Sequence, residues 1–472
     1  MASMYWYEST MRVGCHSYLL NGLASGVALN SLVICVVNAL CCVCFDTRLS
    51  SAAEPNWTQF RGPDGMGVAA GPLNLSAIGK EEKVRWRTPI RGTGWSSPVT
   101  DGKSLWMTSS LVTQATAAER EAALANVSLS QMKDVAGSVE LLAVAVDAST
   151  GKPLWEQSLA TIEDPSPIHP MNSYASPTPL VIDNGRVVFH FGGYGTWCLD
   201  GKTGETIWTQ RLAVDDSVGP GSSPVRFKDL LLVACDGIDK QFVAALSLAD
   251  GSIAWKKDRP PMRATNPEFQ KAYCTPLVID VAGKTQAIIL GAQWLIAYDP
   301  MTGDEIWRAD YGNGFSNTPM PLFVSGLILF STGYTSPELV AVDPTGSGDV
   351  TATNIKWRQK KGVPTKPSLV SDGTIVYMIS DNGILSACSV NDGELLWKNR
   401  IGGMFSSSPF LAGSQIVIAS HEGQVIVFAT GKQYQEISKT ELHEQIMASH
   451  IPIAEDLIVR TKEAIYRYDA RP

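Results

Sequence analysis

The sequence predicts an all-β fold, an eight-bladed β-propeller whose blades are four-stranded antiparallel sheets. Two recurring patterns support this fold class. One is a hairpin that ends in tryptophan, seen at Asp147–Trp155, Asp200–Trp208 and Asp299–Trp307. The other is a small or polar residue followed by proline at the start of an apolar strand. Both patterns recur at intervals of roughly 40–50 residues, which is the length of a four-stranded propeller blade.

The residue types of the hairpin suit a tight turn followed by a buried strand. Asp and Thr side chains accept N–H groups of the turn, and glycine adopts the positive φ that such a turn requires. The tryptophan supplies a large apolar plate, which we expect to be buried between blades. With the looser copies included, the outer strands are expected at Trp86, Trp155, Trp208, Trp255, Trp307, Trp357, Trp397 and near Ile437.

The two patterns are out of phase at the ends of the chain, which predicts how the ring closes. An outer strand at Val84–Thr88 has no blade before it, and a third strand at Ala464–Tyr468 has no outer strand after it. We therefore predict that these N-terminal and C-terminal strands pair, leaving no exposed sheet edge. The strand openings that complete the count of eight are Ser97-Pro98, Ser176-Pro177, Ser223-Pro224, Thr275-Pro276, Thr318-Pro319, Lys366-Pro367, Ser408-Pro409 and Ile451-Pro452.

Residues 1–53 differ in composition from the rest of the chain and indicate export. A short apolar run, Leu32–Phe45, is followed by the small residues Ser51-Ala52-Ala53, which is typical of a signal peptide. An uncleaved membrane anchor is the alternative. We expect a protein of the periplasm, the extracellular space or the cell envelope, with no transmembrane domain in the mature chain. The formal net charge of −8, without basic runs, excludes nucleic acid as a partner, and a monomer is expected.

Three further segments are interpreted from composition. Residues 54–83 are a Gly/Pro-rich entry segment expected on the propeller surface, before the propeller proper at 84–472. A helical insertion is expected at about 112–136 in the first blade, either covering the channel mouth or forming a loop without a role. The cysteines outside the leader are expected to be buried free thiols, because no pair has metal-binding or redox spacing: Cys198, Cys235, Cys274 and Cys388.

The repeats resemble the pyrroloquinoline-quinone (PQQ) repeat of the quinoprotein alcohol dehydrogenase-like superfamily. The scaffold lipoprotein of the bacterial outer-membrane β-barrel assembly machine shares this repeat. From about Asn56 to Tyr468 the chain is most similar to secreted PQQ-binding-like propellers of planctomycete-type bacteria. The stretches that carry the resemblance are Gln59–Gly65, Gly94–Pro98, Asn172–Pro179, Phe191–Thr196 and Gly402–Pro409.

The resemblance is stronger evidence for the propeller fold than for binding of the quinone. Dehydrogenases of this superfamily stack PQQ between a tryptophan and a disulfide of adjacent cysteines, and they hold calcium with carboxylate and amide ligands. Outside the leader this chain has no adjacent cysteines, and no acidic cluster has calcium-like spacing. We therefore predict no cofactor and no metal, with a PQQ-dependent oxidoreductase as the alternative.

A candidate ligand site lies where the connections from outer to inner strands emerge beside the central channel. Aromatic residues recur there, and amides and a histidine accompany them. They either form a binding platform or pack between blades. The proposed ligand-binding residues are Trp95, His169, Asn172, Tyr174 and Asn317; no catalytic residue is identified.

These observations predict a binding module whose partner is a protein or a glycan. A scaffold for envelope assembly and a quinone-dependent enzyme are the alternatives. The identity of the ligand is not contained in the residue pattern, because one propeller scaffold serves many functions.

Overall fold

The computed structural model describes residues 56–125, 127 and 130–472, and it forms an eight-bladed β-propeller. The predicted leader, residues 1–53, lies outside the described residues. Within the described part of the chain, no helix combines the length and hydropathy of a membrane-spanning segment.

The first four blades are consecutive antiparallel sheets, each running from an inner strand at the channel to an outer strand at the perimeter. After β1 (Val84–Pro89), their strands are β2 (Val99–Thr100), β3 (Ser104–Gln114), β4 (Ala136–Asp147) and β5 (Pro153–Ile162); β6 (Leu180–Ile182), β7 (Arg186–His190), β8 (Thr196–Asp200) and β9 (Thr206–Gln210); β10 (Val225–Phe227), β11 (Leu230–Asp236), β12 (Gln241–Ser247) and β13 (Ile253–Asp258); β14 (Leu277–Val281), β15 (Lys284–Leu290), β16 (Trp294–Tyr298) and β17 (Glu305–Asp310).

The last four blades continue in the same order, and a short parallel strand of the fifth blade joins the edge of the fourth. Their strands are β18 (Leu322–Val324), β19 (Leu327–Ser331), β20 (Leu339–Val342), the short β21 (Gly348–Asp349) and β22 (Ile355–Gln359); β23 (Val370–Ser371), β24 (Ile375–Ile379), β25 (Ile384–Ser389) and β26 (Leu395–Arg400); β27 (Phe410–Ala412), β28 (Gln415–Ala419), β29 (Gln424–Ala429) and β30 (Glu436–Glu441); β31 (Ile451–Ile453), β32 (Asp456–Arg460) and β33 (Ala464–Asp469).

The predicted closure of the ring is confirmed. Strand β1 pairs antiparallel with β33, with Val84 opposite Tyr468 and Thr88 opposite Ile465. The first strand therefore completes the eighth blade, whose order is β1-β33-β32-β31. No sheet edge is left open at the junction of the chain ends, since the N-terminal strand supplies the missing outer strand.

Tryptophans of the outer strands connect each blade to the next one. Trp155 packs against Gly204 of the second blade, and its indole N–H donates to Gly201 O at 3.0 Å. Trp208 makes the same contacts with the third blade, donating to Leu248 O at 3.2 Å. The glycine of each turn has positive φ, 77° at Gly204, and a Cβ there would also lie 2.9 Å from the indole, so both the turn and the packing require glycine. The repeated hairpin is thus a joint between blades as well as a turn.

The tryptophans are not equally buried. Trp307 has no exposed surface and Trp208 exposes 7%, as predicted for plates between blades, but Trp155 is only half-buried. The indole of Trp155 still packs edge-on against Phe189, with ring centroids 6.2 Å apart. Its outer edge faces solvent because the outer strand borders the perimeter.

The insertion in the first blade differs from the prediction of one helix over about 112–136. Strands β3 and β4 extend to Gln114 and from Ala136, so that the insertion lies at the end of a long hairpin. The helix α1 (Ala117–Leu124) begins with a capping box between Thr116 and Glu119 and buries no residue. The returning arm, a 3₁₀ turn at Ser130–Met132, borders the channel mouth. A second short helix, α2 (Thr351–Asn354), lies between β21 and β22.

The expected surface position of the entry segment is wrong, because residues 57–68 pass through the channel and form what we call the plug. The carbonyl groups of Trp57 and Thr58 accept N–H groups of the first and second blades, each at 2.8 Å. At the other end of the plug, Val68 forms a parallel bridge with Leu411 of the seventh blade. The glycines of this stretch therefore allow close approach inside the channel rather than a surface loop.

Arg61 holds the plug in place by donating to backbone carbonyls. Its guanidinium is buried and donates to Met66 O at 2.7 Å, to Pro409 O at 3.3 Å and to Leu369 O. Burial lowers the pKa of Arg61 to about 10, and the charge of Asp64 opposes this. A buried cation is tolerated here because the carbonyl oxygens surround it.

Candidate functional site

A ring of hydroxyl groups surrounds the channel directly above the plug, and we call it the hydroxyl belt. Each member lies just before the inner strand of its blade, and in six of the seven the backbone N–H donates to the hydroxyl oxygen of the member in the next blade at 2.9–3.2 Å. The belt links neighbouring blades at the channel, as the tryptophans do at the perimeter. Its members are Ser97, Thr178, Ser223, Thr275, Ser368, Ser408 and Ser449.

Only the fifth blade interrupts the belt among the described residues. Met320 stands at the equivalent position, and its N–H still donates to Ser368 Oγ at 3.1 Å. Its thioether cannot accept the N–H of the preceding blade. Met320 Cε instead contacts the plug, where a Cβ on Gly65 would lie only 2.6 Å away. The belt is therefore open between the fourth and fifth blades, where an apolar contact replaces the hydroxyl.

Above the belt lies a cavity of about 770 Å³. All seven belt residues line it, and Phe60 of the plug contributes to its floor. The plug contacts the first, second, sixth and seventh blades, so this cavity ends blindly within the channel. A volume of this size lies in the usual range of ligand pockets, ~300–1,000 Å³.

The entrance to the cavity is bordered by exposed apolar side chains, which we call the Met-rich rim. They come from five different connections, including the returning arm of the first-blade insertion. Each exposes between 36% and 53% of its surface, which is unusual for side chains of this size. The rim consists of Met132, Met171, Phe269, Tyr334 and Met404.

One wall of the cavity carries a buried charge cluster. Lys271 forms an ion pair with Glu268, and both are at most 6% exposed. Lys133 of the insertion donates to Ser217 O at 3.1 Å and to Ser217 Oγ at 3.2 Å. Burial lowers the pKa of Lys133; Glu268 opposes this effect and Lys271 adds to it. Both lysines donate to Ser217 Oγ, and of the three charged groups Lys271 and Glu268 line the cavity.

The opposite part of the wall carries a second, more exposed pair. Lys366 Nζ lies 3.5 Å from Asp381 Oδ1, and that carboxylate also accepts the N–H of Thr365 at 2.6 Å and its hydroxyl at 2.8 Å. Both carboxylates that line the cavity are therefore engaged by donors of the protein.

Three of the five predicted ligand-binding residues line the cavity: Trp95, His169 and Asn172. The Nδ1 atom of His169 accepts the N–H of Met171 at 3.1 Å, so a neutral ring carries its proton on Nε2. Burial lowers the pKa of His169, and the charge of Lys366 lowers it further, which favours the neutral ring. The Asn172 amide donates to Val218 O at 2.9 Å and positions the neighbouring loop.

Tyr174 and Asn317 do not line the cavity. The Tyr174 hydroxyl donates to Ser166 O at 3.0 Å, and its ring packs between the first two blades. Asn317 is fully buried and accepts the Tyr311 hydroxyl at 3.1 Å. Both residues belong to segments that border the mouth, but their side chains are packed between blades.

The hydroxyl belt, the rim and the plug were not predicted from the sequence. At Ser176-Pro177-Thr178-Pro179, the first Ser-Pro pair was taken as the landmark, whereas Thr178 is the belt member. The signal was the position of the hydroxyl relative to the strand, because Thr178 lies two residues before Leu180, where the inner strand begins. The methionines of the rim carry no sequence pattern because they come from unrelated loops.

The residues present do not fit the quinone site of the dehydrogenases. The four cysteines outside the leader are buried free thiols in four different blades, as predicted, and none can form a disulfide of adjacent cysteines. Among the residues that the structure describes, no group of three or more His, Cys, Asp or Glu side chains is arranged to hold a metal ion. The cavity thus lacks both the sulfur plate and the calcium ligands.

Comparisons with known proteins agree on the fold. A family model described as outer membrane protein assembly factor BamB matches residues 99–280, 139–399 and 346–466. The protein of that name from Moranella endobia is 23% identical over 254 residues, 52% of this chain and 60% of that protein. The one from Burkholderia pseudomallei is 22% identical over 217 residues, 42% of this chain and 54% of that protein.

The chain therefore aligns with 60% and 54% of the length of these curated relatives. Among solved structures, BamB from Moraxella catarrhalis superposes with a TM-score of 0.50 at 16% identity. That match covers 77% of this chain and 99% of the solved one. At this identity the superposition demonstrates a shared propeller fold. The likeness to secreted propellers of planctomycete-type bacteria stays a prediction.

Proposed function

The chain belongs to the family of the outer membrane protein assembly factor BamB, and on that premise we propose that it is a binding scaffold of the cell envelope. Its partner is a protein, which binds at the channel mouth. The predicted leader over residues 1–53 directs export to the periplasm or beyond it. The names of the relatives, which concern the assembly of outer membrane proteins, support an envelope location and a protein partner.

The observation that carries this proposal is the Met-rich rim. Exposed apolar side chains are costly in water unless a partner covers them, and clusters of them mark interaction sites. Methionine is flexible and polarizable, which suits a surface that must fit side chains of differing shape. A protein partner with apolar residues explains the rim better than a free monomer does.

A glycan is less well supported by the site. Sugar rings stack on exposed aromatic faces, but the aromatic residues just before the inner strands are mostly buried. Tyr174 is 3% exposed, Tyr273 7%, Phe315 9% and Phe405 0%. Trp95 remains half-buried at the cavity wall. The exposed rings of the rim, Phe269 and Tyr334, already pack against Phe315 with ring centroids 4.7 Å and 6.0 Å apart.

We propose further that the protein is not a quinone-dependent enzyme. Titration with PQQ and calcium, followed by absorbance and by the melting temperature, tests this part of the proposal. We expect no spectral change and no stabilisation, because the cavity lacks the sulfur plate and the calcium ligands. Saturable binding of the quinone with a rise in melting temperature would contradict it.

Site-specific photo-crosslinking tests the position of the partner. A photoreactive residue replaces Met404 at the rim, and in a second protein it replaces Met301 in a perimeter turn. The two methionines are similarly exposed, at 42% and 48%, so Met301 is a matched control. With an envelope extract we expect a discrete protein adduct at position 404 that is absent at position 301.

The adduct at position 404 should disappear when Met171 and Phe269 are replaced by serine, since these changes remove apolar surface from the rim. Circular dichroism and the melting temperature establish that the variant remains folded. Equal adducts at both positions, or an adduct that contains glycan and no protein, would overturn the proposal.

A further inference from the structure

We infer that the mouth cavity takes the C-terminal end of an apolar peptide segment, with the terminal carboxylate at the hydroxyl belt. This inference rests on the proposed function, because it names the part of a protein partner that enters the cavity. Three features of the cavity carry it: the blind end, the belt hydroxyl protons that no described residue accepts, and the wall carboxylates that are already paired.

Because the cavity has a blind end, we infer that the part of the partner that enters it is a chain terminus. The plug crosses the channel below the belt, and its backbone is hydrogen-bonded to the first, second and seventh blades. Arg61 adds bonds to the carbonyl groups of Leu369 and Pro409. A polypeptide therefore cannot thread through the ring. A chain that enters the mouth with side chains on the rim has to end at the belt.

The hydrogen-bonding pattern of the belt selects acceptor atoms in the ligand. Each of the seven belt hydroxyl oxygens already accepts a backbone N–H. Across the described residues, no belt hydroxyl donates its own proton to a protein acceptor. These protons converge on the cavity floor, where a carboxylate would satisfy several of them with charge-assisted hydrogen bonds.

The charges of the walls disfavour an ammonium group. The lysines that line the cavity, Lys271 and Lys366, are matched in number by Glu268 and Asp381. Glu268 is engaged by Lys271, and Asp381 by Lys366 and the Thr365 backbone, so neither is free for a ligand cation. An incoming N-terminus would meet hydroxyl donors without a free carboxylate, whereas a C-terminus meets complementary groups.

The Met-rich rim then accommodates the side chains that precede the terminus. The cavity volume of about 770 Å³ limits the enclosed part to a short segment. The resulting ligand has apolar side chains near the entrance and a carboxylate at the floor.

Calorimetric titration of the full chain with two peptides tests the inference. One is the N-acetylated hexapeptide acetyl-Thr-Leu-Thr-Val-Ser-Leu with a free carboxylate, and the other is the same peptide with a C-terminal amide. We expect the free acid to bind about 10-fold more tightly than the amide, as expected for one or two charge-assisted hydrogen bonds. Affinity for the acid should fall with ionic strength, and affinity for the amide should not.

Two variants locate the carboxylate within the cavity. Ser408→Ala removes a belt hydroxyl and Lys366→Met removes a wall cation, and each should weaken binding of the acid about fivefold while leaving the amide unchanged. Lys432→Met, at an exposed turn, is the control and should change neither. If Ser408→Ala lowers the melting temperature, Lys366→Met still decides the question.

Equal affinity for acid and amide would overturn the inference, even if the rim cross-link persists and supports the proposed function. Tight binding of a fatty acid with no binding of the peptide acid would also overturn it, since the carboxylate would then come from a lipid. Loss of the rim cross-link together with loss of peptide selectivity would reject the proposed function as well.

Discussion

The perimeter of the ring and the channel mouth both connect neighbouring blades once per repeat, but they use different chemistry. At the perimeter an indole packs on a glycine and donates to one carbonyl, as Trp155 does to Gly201. At the mouth a backbone N–H donates to a hydroxyl, as Ser408 does to Ser449 at 2.9 Å. The perimeter joint needs a tryptophan on one blade and a glycine on the next, whereas the mouth joint needs only a hydroxyl oxygen beside a backbone N–H.

This difference explains which joint is free to serve a function. In the perimeter joint the indole N–H already donates to a carbonyl, and the glycine has no side chain that could contact a ligand. A belt hydroxyl accepts the neighbouring N–H and still retains a proton to donate. The mouth is therefore held together by groups that can also bind a ligand.

The joint between the fourth and fifth blades departs from the pattern in both regions. Trp307 donates to Gln286 Oε1 at 2.9 Å, and the Gln286 amide in turn donates to Pro344 O at 3.2 Å. At the mouth of the same joint, Met320 replaces the belt hydroxyl. A longer turn in the fifth blade moves the carbonyl away from the indole, so a glutamine side chain bridges the gap.

The largest expected effect is at the perimeter. Trp307→Ala should lower the free energy of unfolding by about 3–5 kcal/mol, because Trp307 has no exposed surface and its removal leaves a large cavity. Urea denaturation at equilibrium measures the change. Trp294→Ala, at a partly exposed indole, is the comparison and should cost less. A loss at Trp307 no larger than that at Trp294 would contradict the role of the perimeter joint.

A pair of glycine variants isolates the contact between indole and turn. Gly204 and Gly185 both have positive φ, 77° and 73°, so alanine strains the backbone at each. A Cβ at Gly204 would lie 2.9 Å from the Trp155 indole, whereas nothing lies within 4 Å at Gly185. Gly204→Ala should therefore cost about 1–3 kcal/mol more than Gly185→Ala. Equal losses of melting temperature would show that backbone strain alone accounts for the glycine.

The smallest expected effect is at the mouth. Ser408→Ala leaves the buried N–H of Ser368 without its acceptor and should cost about 1–2 kcal/mol. Ser408→Thr keeps the oxygen and should change the free energy of unfolding by less than about 0.5 kcal/mol. Chemical denaturation of both variants provides the measurement. A threonine variant as unstable as the alanine variant would mean that the belt depends on side-chain shape rather than on the hydroxyl.

The sequence by itself determined the all-β class, the eight blades and the pairing of Val84–Thr88 with Ala464–Tyr468. Those features depend on repeated local patterns, because each hairpin must contain a glycine with positive φ and a tryptophan at a fixed distance. The glycine of the first copy, Gly151, has φ of 73° as the turn requires. The residues that determine a turn or a strand lie within it, so each of these elements can be predicted from one segment of the sequence at a time.

The tertiary structure alone decided the contents of the channel. The plug, the Met-rich rim and the hydroxyl belt bring together residues from all eight blades, and no sequence spacing links Phe60 to Met404. The same applies to Tyr174 and Asn317, whose residue types suited a ligand site but whose side chains point into the packing between blades. Whether a side chain lines the cavity depends on the rotation of its strand relative to the channel axis, which is fixed only when the ring closes.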